Sequence, residues 1–172
     1  MNLPAMNLTA GMPAWTLRGG VACAVALILI SLAAQGVGVF PLGIVALLGV
    51  LSVTAPATPA PAFLIVATAV AVAVVSDDAF DIRVLALVPL IHLVHIGCAL
   101  TAVIPGTARV HVSALRPAAV RFVLVQLAVA ALAAVASLVP ETVTPAALEV
   151  LALLAATTLA VLATRLIMKR PK

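Results

Sequence analysis

Three residues with ligand chemistry stand three apart in one apolar stretch: His92, His95 and Cys98. Imidazole and thiolate bind transition metals, and a pair of intramembrane histidines can also hold haem iron, relay protons or hydrogen-bond a quinone. On a helix each step of three turns the side chain by about 300°, so neighbours lie about 60° apart and the outer two about 120° apart. The three therefore share one broad face, but ligands on one helix do not complete a site. The other apolar stretches add Cys23, Gln35 and Gln126, and no further His, Asp or Glu deep within them. The simpler expectation is structural: neutral histidines that bond to backbone or to Thr or Gln on neighbouring helices, and that face protein because hydrocarbon offers an imidazole no partner. On that basis no metal or other cofactor is expected, and His92, His95 and Cys98 stand as the metal-ligating candidates.

Asp77, Asp78 and Asp81 form a second cluster, within Ser76-Asp77-Asp78-Ala79-Phe80-Asp81. The D-D-x-x-D form resembles the aspartate-rich motif of isoprenyl diphosphate synthases and is similar to motifs of membrane prenyltransferases, which implies carboxylates holding Mg²⁺ against a pyrophosphate. The resemblance covers five residues, and the chain has no second aspartate-rich motif. A capping role competes with it: Ser76 or Asp77 can cap the next helix, and Asp81 can pair with Arg83. A third group, Arg109, His111, Arg116 and Arg121, could dock anionic headgroups or an acidic partner, although basic residues beside membrane spans are also topology signals. The sequence holds no nucleophile motif, phosphate-binding glycine loop, zinc signature or aromatic platform for nucleic acid, so no catalytic residue and no nucleic-acid partner are assigned.

The elements that must position these groups follow from composition. Of 172 residues, 66% are hydrophobic and 8% charged, against roughly 45–50% and about 25% in soluble domains. Nine Lys and Arg with five Asp and Glu cannot cover a soluble core of this size, so the bilayer is the expected solvent. Residues 19–76 carry no charge. That stretch exceeds one span of ~20 residues, and it is divided by Gly36, Gly38, Pro41 and Gly43, then by Pro56, Pro59 and Pro61. The expected fold is all-α, a single transmembrane domain of six helices over about 16–34, 40–54, 60–76, 84–104, 121–139 and 145–168. Residues 105–117 read as a loop, Thr144 and Pro145 as a helix start, and Pro89 as a kink in the fourth span.

The positive-inside rule supports this division. With the N-terminus in the cytoplasm, Arg18, then Arg109, Arg116 and Arg121, then Arg165, Lys169, Arg170 and Lys172 all fall inside, leaving Arg83 outside beside the aspartates. The first segment also resembles a secretory signal peptide, with Arg18 before an apolar core and small residues at Ser31 and Ala33. Cys23 and Cys98 sit in apolar runs and are expected as free thiols, and the lack of Tyr with abundant Ala, Val, Leu and Pro points to a GC-rich bacterial genome. Small residues spaced by four (Ala67 and Ala71; Ala130 and Ala134; Ala152, Ala156, Ala160 and Thr164) are candidate helix-packing seams. The function classes rank as follows: a non-catalytic accessory or assembly subunit of a membrane or cell-envelope complex, partnered by lipid and other membrane subunits; a small transporter or channel subunit; and an embedded redox or metal protein centred on His92 and His95.

Overall fold

The computed structural model describes residues 11–76 and 81–137, of which 81% are helical. The order is β1 (Met12–Pro13), α1 (Trp15–Ala34), α2 (Val39–Thr54), α3 (Ala60–Val75), α4 (Ile82–Val103), β2 (Arg109–Val110) and α5 (Val112–Ser137). These elements belong to one compact unit, residues 1–135, which α5 overruns by two residues. Helices α1, α4 and α5 are long and apolar enough to cross a membrane, whereas α2 and α3 are apolar but only 16 residues each. At 1.5 Å per residue the two shorter helices measure about 24 Å, against a hydrocarbon layer of about 30 Å. The sixth segment, 145–168, with its seam at Ala152, Ala156, Ala160 and Thr164, lies outside the described residues, as do Asp77 and Asp78.

Glycine and proline set the boundaries by identifiable means. After α1, Gly36 adopts φ 84°, a conformation open to glycine at no steric cost. It permits the paired bonds Gly36 N–H to Ala33 C=O (3.0 Å) and Val37 N–H to Leu32 C=O (3.1 Å). This is the Schellman closure, completed by contact-forming apolar residues at its two ends: Val37 and Leu32 are both buried. Pro61 opens α3 within its first turn, where a missing N–H leaves no internal bond broken.

Two boundaries differ from expectation. Asp81, rather than Ser76 or Asp77, caps α4: its Oδ1 accepts from the backbone N–H of Arg83 at 2.8 Å, while its C=O accepts from Val84 and Leu85. The aspartate thus meets Arg83 through the main chain, a cap of the kind that contributes about 1 kcal/mol. Helix α5 begins at Val112, nine residues before the expected start of the fifth span at Arg121, so of the expected loop 105–117 only 105–111 is non-helical, and it includes β2. Pro117 falls within the second turn of α5 and removes one bond there, and Arg116 and Arg121 ride on the helix itself.

The bundle is seated on α1. Its Val21, Ala24, Val25, Ile28 and Leu32 are buried and pack with Val45 of α2, Leu64 and Ala71 of α3, and Leu87, Val94 and Cys98 of α4. The segment that also resembles a leader therefore forms the middle of the core. Two close approaches fix its neighbours. A Cβ added to Gly97 of α4 would stand 2.5 Å from Val21 Cγ2, and one added to Gly49 of α2 would overlap Val25 Cγ1.

A two-stranded antiparallel sheet ties both ends of this arrangement. Met12 pairs with Val110 and Pro13 with Arg109, and Ala14 N–H donates to Ala108 C=O at 3.0 Å. The start of α1 and the end of α4 therefore lie at one end of the bundle, called here the sheet end. Helix α2 descends towards it: Gly49 is level with Val25, and the Cys98 thiol lies 3.7 Å from the Ser52 carbonyl. Thr54, five residues beyond Gly49, then comes to about the level of Gly20 or Val21, so α2 traverses most of the length of α1.

Candidate functional site

The buried face of α4 runs along Leu87, Val94, Cys98 and Thr101. Cys98 is on that face, His95 about 60° from it and His92 about 120° from it, as the helical pitch requires. The consequence is divergence. The Cys98 thiol is buried against α2. The His92 ring turns to α5, where Gln126 Nε2 lies 2.7 Å from His92 Nδ1 and the Phe122 ring is centred 5.1 Å away, tilted by 37°. His95 lies between these two packed faces and is exposed.

His92 thus has the neighbouring-helix glutamine that the sequence suggested. The glutamine amide, which carries both a donor and an acceptor, can serve either tautomer of the ring at that nitrogen. The expectation that both histidines face other helices is corrected for His95, because three-residue spacing carries it off the α4 packing face before α5 is reached. Among the described residues no group of three His, Cys, Asp or Glu is placed to hold a metal ion. The remaining buried hydroxyls bond within their own helices: Ser52 to Leu48 C=O, Thr68 to Leu64 C=O, and Thr101 to Gly97 C=O.

The basic candidates gather at the sheet end. Arg109 is in β2, Arg116 occupies the second turn of α5, Arg121 follows just over one turn later, and Arg18 stands in the first turn of α1. Arg109, Arg116, Arg121 and His111 are exposed. Asp81 is at the opposite end of α4. Of the three aspartates only Asp81 is described, and its Oδ1 is engaged as a cap rather than offered to a cation.

Among the described helices α5 is the least embedded. None of residues 112–135 is buried, and its half-buried residues, Leu115, Ala118, Phe122, Gln126, Val129 and Ala133, form a single stripe at helical spacing. Ala130 and Ala134, the expected seam on this helix, are exposed, while Ala67 and Ala71 do pack against the core. Gly49 and Gly97 carry no local sequence pattern that marks them, because their closeness to α1 is a tertiary property. An apolar cavity of about 320 Å³ between α1, α4 and α5 is likewise a product of tertiary packing. The chain matches no family model, and no curated protein or solved structure emerges as a relative.

Proposed function

We propose that this protein is a non-catalytic accessory or assembly subunit of a membrane complex, carried in a bacterial plasma membrane by six spans with both ends in the cytoplasm. The observation that carries it is His95. The fourteenth residue of α4, an exposed imidazole, has no hydrogen-bond partner among the described residues and sits in the middle of an apolar helix. Leaving such a group in hydrocarbon costs on the order of a few kcal/mol, so a polypeptide surface with a polar group is the natural cover for it. Other polar groups inside the described bundle are already paired: the buried hydroxyls with their own helix backbones, and His92 with Gln126. A transporter or channel reading needs a polar path, and two cavities among the described helices, of about 320 and 570 Å³, have almost wholly apolar walls, while a third between α3 and α4 adds only Thr68, whose hydroxyl is bonded to its own helix, and Ser76.

The orientation rests on the gathering of Arg18, Arg109, Arg116 and Arg121 at the sheet end, which is the cytoplasmic end by the positive-inside rule. Support for α2 and α3 as crossing helices is the descent of α2 to the level of the first turns of α1. Their shortness is accommodated by local thinning of the bilayer.

Co-purification from native membranes in mild detergent tests the assignment. Wild type and His95→Asn bring down the same stoichiometric membrane partner, and His95→Leu reduces its yield about tenfold, the equivalent of one lost hydrogen bond of about 1.4 kcal/mol. Equal recovery with His95→Leu, or a protein that purifies alone and moves ions or solutes in liposomes, overturns it.

A further inference from the structure

We propose that the cavity between α1, α4 and α5 holds one acyl chain of an anionic phospholipid whose phosphate is bound by Arg116. The cavity measures about 320 Å³ and is walled by residues that include Leu17 and Gly20 of α1, Gly97 and Leu100 of α4, and Ala119 and Phe122 of α5. That volume is at the lower end of the ~300–1,000 Å³ of ligand pockets. It exists because small residues face one another there: a Cβ on Gly20 would meet nothing within 4 Å. The walls offer hydrocarbon and little else. The hydroxyl of Thr16, which also lines the cavity, is already given to Pro13 C=O at 2.7 Å. Phe122, its ring tilted against His92, lines the cavity from α5. A ligand for this space is therefore an alkyl chain.

Its position identifies the headgroup. The walls come from the first turns of α1, the later turns of α4 and the first half of α5, which places the cavity at the sheet end. Along α5 the lining runs from Leu115 to Val123, about 12 Å, and begins one residue before Arg116. Around the helix Arg116 lies about 60° from Ala119, on the flank of the cavity face, and it is exposed. Arg18, Arg109 and Arg121 stand at the same end, and the sequence has no Asp or Glu in residues 1–76 or 82–140. An apolar slot whose rim is cationic, in a stretch of chain without carboxylates, is complementary to a phosphate joined to a hydrocarbon chain. Anionic lipid of the leaflet at that end supplies both parts in one molecule.

Native mass spectrometry of the full chain, purified in mild detergent with phosphatidylglycerol and phosphatidylcholine of the same acyl chains, tests this. Wild type retains one phosphatidylglycerol in preference to phosphatidylcholine by about fivefold, the attraction of one arginine for an anionic headgroup. Arg116→Gln brings the ratio to near one, and Ala119→Phe, which fills the slot from α5, abolishes retention. Gly20→Leu fills the same slot from α1 and gives the same loss, so a folding defect peculiar to one variant does not decide the outcome. Equal retention of the two lipids by wild type, no lipid retained at all, or phosphatidylglycerol still held by both filled variants overturns the proposal.

Discussion

Gly97→Val destabilises the bundle by about 3 kcal/mol, and adding Val21→Ala to the same chain recovers most of that loss. The expectation follows from a contact with no slack. A single Cβ at position 97 would stand 2.5 Å from Val21 Cγ2, and a valine side chain on a helix has essentially one χ1 rotamer available, so Val21 cannot swing away. Either α4 moves off α1 or the backbone bends, and both surrender the van der Waals contact that holds helices together where lipid is as apolar as leucine. Helix propensity works in the opposite direction, since replacing glycine with alanine in a helix interior gains roughly 1 kcal/mol. Gly97→Ala is therefore the sharper diagnostic: it loses stability only if the overlap is real. Gly49→Ala behaves in the same way and is relieved by Val25→Ala, because α2 approaches α1 through that pair. Denaturation in mixed micelles, followed by loss of helical circular dichroism, reads the difference. Unchanged or raised stability for both alanine variants would mean that α1 is not clasped between α2 and α4.

The second large effect is asymmetric. Gln126→Leu lowers stability by about 1–3 kcal/mol, while the double variant with His92→Leu and Gln126→Leu returns to within about 1 kcal/mol of wild type. The single change strands an imidazole that has its Nδ1 bonded at 2.7 Å to the glutamine amide and lies in an apolar setting beside Phe122. The double change removes both polar groups together, so neither is left to be desolvated without a partner. His92→Gln keeps a side chain able to bond to Gln126 and costs less than His92→Leu alone. A ligand-binding His92 would respond differently: the double variant would remain as impaired in function as either single one, whatever its stability. The same unfolding assay measures all four chains, and a double variant as unstable as Gln126→Leu would remove the pair from the account of how α5 is held.

The parts of this fold that were legible in the sequence are those written by backbone chemistry. Gly36 and the prolines at 56, 59 and 61 punctuate an uncharged stretch, and the helices they bound begin and end within a residue of the expected positions. The fifth helix was misplaced because Arg116 and Pro117 resemble loop residues. A membrane helix can carry polar residues on turns that rise beyond the hydrocarbon, so polarity there marks depth rather than the end of the helix. Orientation about the helix axis was much less legible. In water, polar residues mark the outward face of a helix, but in lipid both faces are apolar and the pattern loses its sign. Hence Ala130 and Ala134 looked like a seam and are exposed, and His95 was expected to face protein and is exposed. Gly49 and Gly97 have the look of ordinary small residues, yet neither has room for a Cβ beside Val25 and Val21 of α1. The pairing of His92 with Gln126 was the exception, because few polar partners exist in these stretches and a polar group in lipid must find one.

Side-specific cysteine labelling in intact cells tests the layout most directly. In a chain carrying Cys23→Ala and Cys98→Ala, three single cysteines are compared: Ala57→Cys in the turn between α2 and α3, Ala79→Cys in the acidic connection, and Ser113→Cys in the first turn of α5. Six spans with a cytoplasmic sheet end require Ala79→Cys to react with an impermeant maleimide from outside, and Ala57→Cys and Ser113→Cys to react only after the cytoplasmic side is opened. Labelling of Ala57→Cys from outside would show that α2 and α3 do not cross, and labelling of Ser113→Cys from outside would place the sheet end on the wrong side of the membrane.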